Sequence, residues 1–298
     1  MSPMLDEQQP VEQAGFRRSF STIDHIHTVK QILEKYNEYN KKVYIAFIDY
    51  AKAFDSLNHS YIWNTLEHQE IPASYINIIE KIYVHSQASI QLETLGKDFP
   101  IKRGVRQGDS LSPKLFSAVL ENIFRNLNWE GFGLNINGSR LNHLRFADDL
   151  VLFEEKPEIL EQMIKSLSKE SETTGLKMNL TKTKIMTNSI KVDITVNGAT
   201  LQFVNEYTYL GQLISPKDLI TKEVNTRIAN AKVEMDRIYD AGQTRKMVLG
   251  SFRMVPKRWE EKLWKTVHKM GGWLKVETGN SGQTTVEIIG RGLCQEAH

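Results

Sequence analysis

The chain has 298 residues, a formal net charge of +2, and a composition of 40% hydrophobic and 25% charged residues. These values are typical of a globular protein with one large or two modest domains, and nothing in them demands overall disorder. The small net charge does not by itself argue for a nucleic-acid partner, so any basic surface must be local. Because Cys294 is the single cysteine, an internal disulfide framework and a cysteine-based zinc site are excluded, and we expect a reducing compartment.

The first predicted elements are a helix and a buried strand. Residues 22–39 place apolar side chains at helical spacing behind a cap at Ser21 or Thr22. Residues 43–48, "VYIAFI", are continuously apolar, which predicts a buried strand ending at Asp49. This run is too short to cross a bilayer, and the first residues carry no apolar signal segment. We therefore expect an intracellular chain in the nucleus and/or cytoplasm, with no membrane partner and no targeting signal.

Two helices, a hairpin and a polar loop follow. Helical patterns cover about 58–69 and 73–85, and residues 88–104 predict a hairpin that leads into the loop "GVRQGDSLSP". Ser112 is the expected N-cap of the next helix, with Pro113 at its first helical position. An apolar stripe defines that helix: Leu115, Phe116, Val119, Leu120, Ile123, Phe124 and Leu127.

The second half begins with "RLNHLRFADDLVLFEE", residues 140–155, which predicts two short strands around an Asp-Asp turn. Another helix is expected from Pro157 to Gly175. Short strands are expected from 182 to 214, with one hairpin at Asn197-Gly198, and a helix from 219 to about 241. Beyond Gly271 the sequence shows little periodicity, which predicts an irregular tail.

The adjacent carboxylates of Asp148 and Asp149 repel each other at a hairpin tip, unless a bound cation reverses the sign of that interaction. A solvated acidic turn is the simple alternative. Asp49 ends a separate strand, and metal-assisted phosphoryl transfer uses carboxylates held by separate strand ends, with hard Mg²⁺ preferring oxygen ligands. Only folding could bring Asp49 to the Asp-Asp turn.

Six segments in this order resemble the reverse transcriptase domain of non-LTR (LINE-type) retrotransposons. "EQAGFRRSFSTIDHI" resembles the segment before the first catalytic motif, "FIDYAKAFDSL" that motif, and "GVRQGDSLSPKLF" the template and nucleotide loop. "FADD" resembles the second catalytic motif, "GLKMNLTKTKIM" the lysine-bearing motif, and "YTYLGQLI" the primer grip. The resemblance covers residues 11–230.

The resemblance implies an α+β fold: a right-hand polymerase palm with a small antiparallel sheet and flanking helices, partial fingers and an incomplete helical thumb. Asp49, Asp148 and the main-chain carbonyl of Tyr50 would hold two Mg²⁺ ions, with Mn²⁺ as a substitute. Asp149 would support the site, or it merely tops the turn.

The resemblance also implies nucleotide contacts and a primer grip. Phe54 would lie under the sugar and disfavour a 2′-hydroxyl, unless it is a core residue. Lys182 would protonate or neutralise the pyrophosphate, with Lys184 as the second choice and an exposed strand lysine as the alternative. The remaining residues that the resemblance assigns are Arg106, Gln107 and Gly108 beside the nucleotide and Tyr209, Leu210 and Gly211 in the primer grip. A solvated arginine is the alternative for Arg106, and an ordinary strand aromatic is the alternative for Tyr209.

The resemblance implies four segments: residual fingers at 1–40, a palm at 41–216, partial thumb and connection helices at 217–272, and the irregular tail at 273–298. The expected partners are an RNA template, a DNA primer and deoxynucleoside triphosphates, with an upstream segment or a partner chain supplying the rest of the fingers. Two alternatives stay open: an inactive nucleic-acid-binding relic of a retroelement, and a maturase-type reverse transcriptase of group II introns.

Overall fold

The structure is a computed structural model that describes residues 2–90, 96–106 and 108–216, together with the backbone of 273–278 and 284–289. Its contacts divide the chain into two compact units, Met1–Thr226 and Arg227–His298. Within the described residues, no helix is both long and apolar enough to cross a lipid bilayer.

The first unit alternates helices and short strands. Helices α1 to α7 are, in chain order, Ser2–Glu7, Thr22–Glu38, Ala53–Ser56, His59–His68, Ala73–Val84, Ser112–Asn126 and Pro157–Thr174. Its strands β1 to β13 are Tyr44–Ile48, Gln87–Ala88, Phe99–Pro100, Leu134–Ile136, Ser139–Leu141, His143–Phe146, Asp149–Glu154, Lys184–Thr187, Thr195–Val196, Ala199–Thr200, Gln202–Phe203, Tyr207–Tyr209 and Gln212–Ile214.

Five strands form the main sheet, in the order β11-β8-β1-β7-β6. β1 lies at its centre and pairs antiparallel with β7 on one side and with β8 on the other. β6 pairs antiparallel with β7, whereas β11 joins β8 in parallel. The other strands of this unit form two-stranded hairpins. The predicted α+β fold with a small, mainly antiparallel sheet is therefore confirmed.

The sheet buries side chains on both of its faces. On one face, Ala46 and Ile48 of β1 pack into a core with helices α4, α6 and α7. On the other face, Ile45 and Phe47 pack with α2 and with the β12–β13 hairpin. A strand covered on both sides needs apolar residues at every position, which explains the unbroken run that the sequence shows here.

The helices lie close to their predicted bounds. α2 begins after Ser21, whose backbone N–H donates to the Asp24 carboxylate at 3.0 Å, as in a capping box. Gly175 ends α7 with φ at 94°, a left-handed conformation that glycine adopts without strain. One boundary was wrong: the N-cap of α6 is Leu111, so Ser112 is already the first helical residue. Asp109 accounts for the shift, because its carboxylate accepts the Leu111 N–H at 2.9 Å.

Two Asn-Gly turns form hairpins, of which the sequence analysis found one. The predicted turn at Asn197-Gly198 joins β9 and β10, with φ values of 48° and 79°. Asn137-Gly138 joins β4 and β5 in the same way, with φ values of 52° and 89°. The same dipeptide signal was present there and could have identified this second hairpin.

The predicted irregular tail was wrong in part. In the second unit, β14, Trp273–Thr278, pairs antiparallel with β15, Thr284–Ile289. β15 has β-branched residues at five of its six positions, and the sequence between the two strands, "GNSGQ", has a composition typical of turns, so the segment carried a hairpin signal. The helix predicted over 219–241 lies outside the described residues.

Candidate active site

The pairing of β1 with β7 brings the first predicted carboxylate to the Asp-Asp turn. Ile48 pairs with Leu150, so one further step of the register places Asp49 opposite Asp149. β6 pairs Phe146 with Asp149, which leaves Ala147 and Asp148 as the two residues of the connecting turn. Side chains alternate along a strand, so Asp49 shares the sheet face of Phe47.

Burial and mutual repulsion perturb these carboxyl groups. The pKa of Asp148 is raised, mainly by burial and further by the Asp49 charge. The pKa of Asp149 is raised to about 6 by burial and by the charges of Asp148 and Asp49, although the residue as a whole is exposed to solvent. A cation bound beside these carboxyl groups would offset the charge repulsion that raises the pKa of Asp148 and Asp149.

The backbone of Asp49 is held from the side of β8. Its N–H donates to the Thr183 hydroxyl at 3.3 Å, and its carbonyl accepts the Asn179 N–H at 2.8 Å. The Ala51 N–H donates to the Lys177 carbonyl on the same side. Backbone groups alternate sides along an antiparallel strand, so the Tyr50 carbonyl points the other way, towards β7 and the Asp-Asp turn.

The donor set fits a hard divalent cation. The Oδ2 atom of Asp49 is buried and has no hydrogen-bond partner among the described residues, although a buried carboxylate oxygen is normally paired. The described residues contain no cluster of three or more His, Cys, Asp and Glu side chains that could hold a metal ion. The predicted ligands include only two such side chains, Asp49 and Asp148, together with the Tyr50 carbonyl. Such a set can still bind Mg²⁺, because this ion commonly completes its shell with water and substrate phosphates.

Phe54 lies in a stack of aromatic rings. It is half-buried, and its ring stacks on Phe116 of α6 at 4.5 Å, with an angle of 18° between the planes. Phe16 meets the same ring edge-on at 6.4 Å, while 47% of the Phe16 surface is exposed. The stack fixes the orientation of the Phe54 ring. The packing against Phe116 agrees with the alternative of a core residue, and the sugar contact stays a prediction.

The loop before α6 carries the three residues predicted to contact the nucleotide, and that role stays a prediction. The Arg106 guanidinium donates to the Ser86 hydroxyl and the Ile82 carbonyl, so in this structure its hydrogen bonds go to protein groups. Gly108 has φ at 87° and open space where a side chain would lie. Gln107 lies outside the described residues.

The two candidate lysines differ in their surroundings. Lys184 donates to the Thr181 carbonyl and to the Gln202 side chain, both at 2.6 Å. Lys182 is exposed, in the turn whose next residue, Thr183, accepts the Asp49 N–H. The prediction put Lys182 before Lys184. The structure is compatible with this order, because the Lys184 amine already donates hydrogen bonds to neighbouring groups.

The predicted primer grip is the β12–β13 hairpin. Tyr209 is buried against the sheet, while Leu210 and Gly211 form the turn with φ values of 48° and 77°. The Tyr209 hydroxyl lies 3.5 Å from Nδ1 of His25, whose pKa burial lowers to about 4. The hairpin covers the sheet face on which Asp49 lies.

The family described as reverse transcriptase (RNA-dependent DNA polymerase) matches residues 1–214.

The chain belongs to the reverse transcriptase family.

Its relatives include retrotransposon polyproteins. A retrovirus-related Pol polyprotein from a type-2 retrotransposable element of Drosophila melanogaster is 33% identical over 171 residues, which are 57% of this chain and 16% of that protein. One from a type-1 retrotransposable element of Nasonia vitripennis is 37% identical over 139 residues, 46% of this chain and 14% of that protein. The chain therefore spans about a sixth of the length of these curated relatives.

Solved telomerases share the fold. The structure of apo telomerase from Candida tropicalis truncated from its C-terminal domain has a TM-score of 0.55 at 17% identity, covering 73% of this chain and 43% of that one. Telomerase from Candida albicans in complex with a fragment of telomeric RNA has a TM-score of 0.51 at 15% identity, covering 69% and 34%. These solved structures show that the chain shares their fold. Members of the reverse transcriptase family generally use divalent metal ions.

The structure adds neighbours of the site that the sequence did not single out. Tyr207 stacks on Phe47 at 4.2 Å, and its pKa is raised by burial and then by the charges of Asp149 and Asp49. Thr183 holds the backbone of Asp49, and it follows directly after the candidate Lys182. The sequence carried a signal for both residues, because Thr183 directly follows the candidate Lys182 and Tyr207 lies two positions before the primer-grip residue Tyr209.

Proposed function

We propose that this chain is the palm of an RNA-directed DNA polymerase, which adds deoxynucleotides to the 3′-hydroxyl of a primer on a template. The proposal covers its substrates, its partners and the roles of the individual site residues. The observation that carries it is the register of β1 on β7, which leads to the Asp148–Asp149 turn from Asp49, whose buried Oδ2 has no hydrogen-bond partner in the described part of the chain.

In this proposal the Asp49 and Asp148 carboxylates and the Tyr50 carbonyl hold two Mg²⁺ ions. When bound, such ions favour ionisation of the primer hydroxyl and neutralise the pyrophosphate that leaves. Asp149 adds negative charge behind the ligands, which strengthens cation binding. The buried backbone contacts of Asp49 keep its carboxylate in place without local rearrangement.

The surrounding residues position substrate and leaving group. The Phe54 ring, fixed by Phe116, lies under the sugar and excludes a 2′-hydroxyl by contact. Lys182 donates a proton to the pyrophosphate, a role for which its exposed amine is free to move. Arg106, Gln107 and Gly108 contact the nucleotide or template, and Arg106 would exchange its hydrogen bonds to Ser86 and Ile82 for phosphate.

The primer lies on the β12–β13 hairpin. Tyr209, Leu210 and Gly211 support its terminal nucleotide, and the position of this hairpin on the Asp49 face of the sheet favours that role. The RNA template is suggested by the retrotransposon relatives and by the telomeric RNA in one solved neighbour. A further part of a longer protein or a partner chain supplies the remaining fingers. The comparisons do not favour the relic or the group II maturase.

The test is primer extension on an RNA template with deoxynucleotides and Mg²⁺. We expect Asp148→Asn to lower the extension rate at least about a hundredfold, because the loss of one charged ligand weakens both metal binding and charge neutralisation. Asp193→Asn makes the same chemical change on an exposed aspartate outside the carboxylate group, and it should leave the rate unchanged.

The outcomes separate the proposal from its alternatives. If Asp148→Asn abolishes primer extension and Asp193→Asn retains it, the polymerase proposal is supported. If the folded chain binds RNA with steep salt dependence but extends no primer, the polymerase proposal fails and the inactive relic is favoured. Extension that survives Asp148→Asn would also overturn the assigned role of this carboxylate.

A further inference from the structure

Residues 12–15 run along the free edge of β6, the outer strand of the sheet that carries the Asp-Asp turn. The Arg145 N–H donates to the Glu12 carbonyl at 2.8 Å, and the Ala14 N–H donates to the Arg145 carbonyl at 3.0 Å. Gln13 forms a parallel bridge with Arg145. This segment therefore adds a single β-bridge to the edge of β6, directly beside the turn.

Gly15 touches the backbone of that turn. A β-carbon on Gly15 would lie 2.3 Å from the Ala147 backbone nitrogen and 3.1 Å from the Phe146 carbonyl carbon. Real β-carbons do not approach backbone atoms as closely as the first of these distances. Any side chain at position 15 would thus displace either the segment or the turn, and Asp148 is the next residue after Ala147.

The turn itself is held in a constrained conformation. Ala147 has φ at 59°, which a residue with a β-carbon adopts only when its surroundings enforce it. Ala147 is also buried, at 6% exposure. A turn in such a conformation would relax towards a commoner one if a neighbour stopped supporting it, and the Asp148 carboxylate would move with it.

The segment is fixed to the body of the domain. Gln13 is fully buried and donates from Nε2 to the Ser117 hydroxyl of α6 at 3.0 Å. The Arg17 guanidinium donates to the carbonyls of Pro10 and Gln13 at 2.6 and 2.9 Å. Residues 12–15 are therefore attached to α6 through Gln13 and lie against the turn through Gly15.

We propose that residues 12–15 are a clamp that positions the Asp148 carboxylate, and that Gly15 is a positioning residue because it has no side chain. The clamp acts through the turn, so it sets how well the carboxylates hold a divalent cation. This inference rests on the proposed function, since it assumes that Asp148 binds the metal. A displacement of about 1 Å can cost on the order of a hundredfold in rate.

The test compares Gly15→Ala with wild type and with Gly198→Ala. Gly198 has φ at 79° and open space around it, so its variant strains a distant hairpin without a clash. Two quantities are measured: the rise in melting temperature on adding Mg²⁺, which needs no activity, and the Mg²⁺ concentration for half-maximal extension. For Gly15→Ala we expect a smaller rise and a half-maximal concentration at least about threefold higher, with the KM for dNTP unchanged at saturating Mg²⁺.

A second variant covers the case in which Gly15→Ala fails to fold. Gln13→Met keeps the side-chain volume but removes the hydrogen bond to Ser117, so it should shift both quantities in the same direction by a smaller amount. The clamp proposal is overturned if a folded Gly15→Ala protein shows the wild-type rise in melting temperature and the wild-type half-maximal Mg²⁺ concentration. If only Gln13→Met folds, the same result in that variant overturns it.

The readouts also separate the two proposals. A wild-type chain that Mg²⁺ stabilises but that extends no primer would contradict the proposed function alone. The effect of Gly15→Ala on Mg²⁺ stabilisation would then still decide the clamp. If Asp148→Asn leaves that stabilisation intact, Asp148 does not bind the ion and the clamp proposal falls with it.

Discussion

Asp49 stands opposite Asp149 in the register that pairs Ile48 with Leu150. Nothing in either strand alone requires this alignment, yet a slip of one residue would turn every side chain of β1 to the other face of the sheet. Ala46 and Ile48 would then leave the core formed with α6 and α7. Core packing therefore fixes the register, and the register places the carboxylates together.

The metal-free protein should lose stability as the pH rises through the pKa of Asp149, about 6. The folded pKa exceeds the unfolded value of about 4, so the stabilisation is present below pH 4 and is lost as the pH rises through 6. Asp149→Asn should flatten this loss and stabilise the metal-free protein at pH 7 by about 1 kcal/mol, a figure reduced for solvent screening. Urea unfolding at pH 4 to 7 measures it.

At pH 7, Mg²⁺ should reduce the difference in the free energy of unfolding between wild type and Asp149→Asn, because a bound cation offsets the repulsion among the carboxylates. Asp193→Asn, on an exposed aspartate outside the carboxylate group, serves as the control and should follow wild type. A wild-type stability curve that is flat between pH 4 and 7 and insensitive to Asp149→Asn would contradict this prediction.

His25 should produce the opposite slope in nearly the same pH range. Burial lowers its folded pKa to about 4, below the unfolded 6.5, so its contribution is present above pH 6.5 and is lost as the pH falls towards 4. His25→Gln should remove up to about 3 kcal/mol of this acid sensitivity. His27→Gln, on an exposed residue of the same helix, should not. Equal acid sensitivity in both variants would refute the assignment.

Breaking the ion pair between Arg145 and Glu121 should destabilise the sheet. Arg145 is 1% exposed, and its guanidinium lies 2.7 Å from the Glu121 carboxylate. Glu121→Gln leaves this buried cation without its counter-charge, which should cost about 3–5 kcal/mol in denaturant unfolding. A double variant with methionine at both positions should recover most of that loss. A loss as large in the double variant would argue against an electrostatic cause.

Phe16 should influence sugar discrimination through Phe54. Phe54→Ala should raise the use of ribonucleotides relative to deoxynucleotides at least about tenfold, because the ring that meets the 2′-hydroxyl is removed. Phe16→Ala should have the same sign but a smaller effect, since it only loosens the ring stack. The ratio of kcat/KM values for dNTP and rNTP measures this. Phe99→Ala is the control, because Phe99 is 46% exposed and Phe16 is 47% exposed, and it should leave the ratio unchanged.

Much of the fold could be predicted from local patterns. The helices at 22–38, 59–68, 73–84 and 157–174 carry their apolar stripes and end signals within one segment, so periodicity identified them. Asp49 was found because an apolar run ends at it, and Asp148 and Asp149 because two apolar runs flank them. The second Asn-Gly hairpin and the strands at 273–278 and 284–289 also carried signals, which the sequence analysis did not use.

The roles of the site residues remain predictions. The sequence singled out Gly15 only as part of a family-like segment, and it singled out Ala147 only as the residue before two aspartates. Their contact involves backbone atoms of segments far apart in the chain, so no local pattern of side chains could reveal it.

The sequence by itself determined which segments are helices and strands, and which strand ends carry carboxylates, because those properties depend on neighbours within a few residues. The tertiary structure decided that Asp49 meets the Asp-Asp turn, that Phe54 lies between Phe16 and Phe116, and that Gly15 abuts Ala147. These contacts depend on the register of distant strands, which is set by burial on both faces of one sheet and therefore exists only in the folded chain.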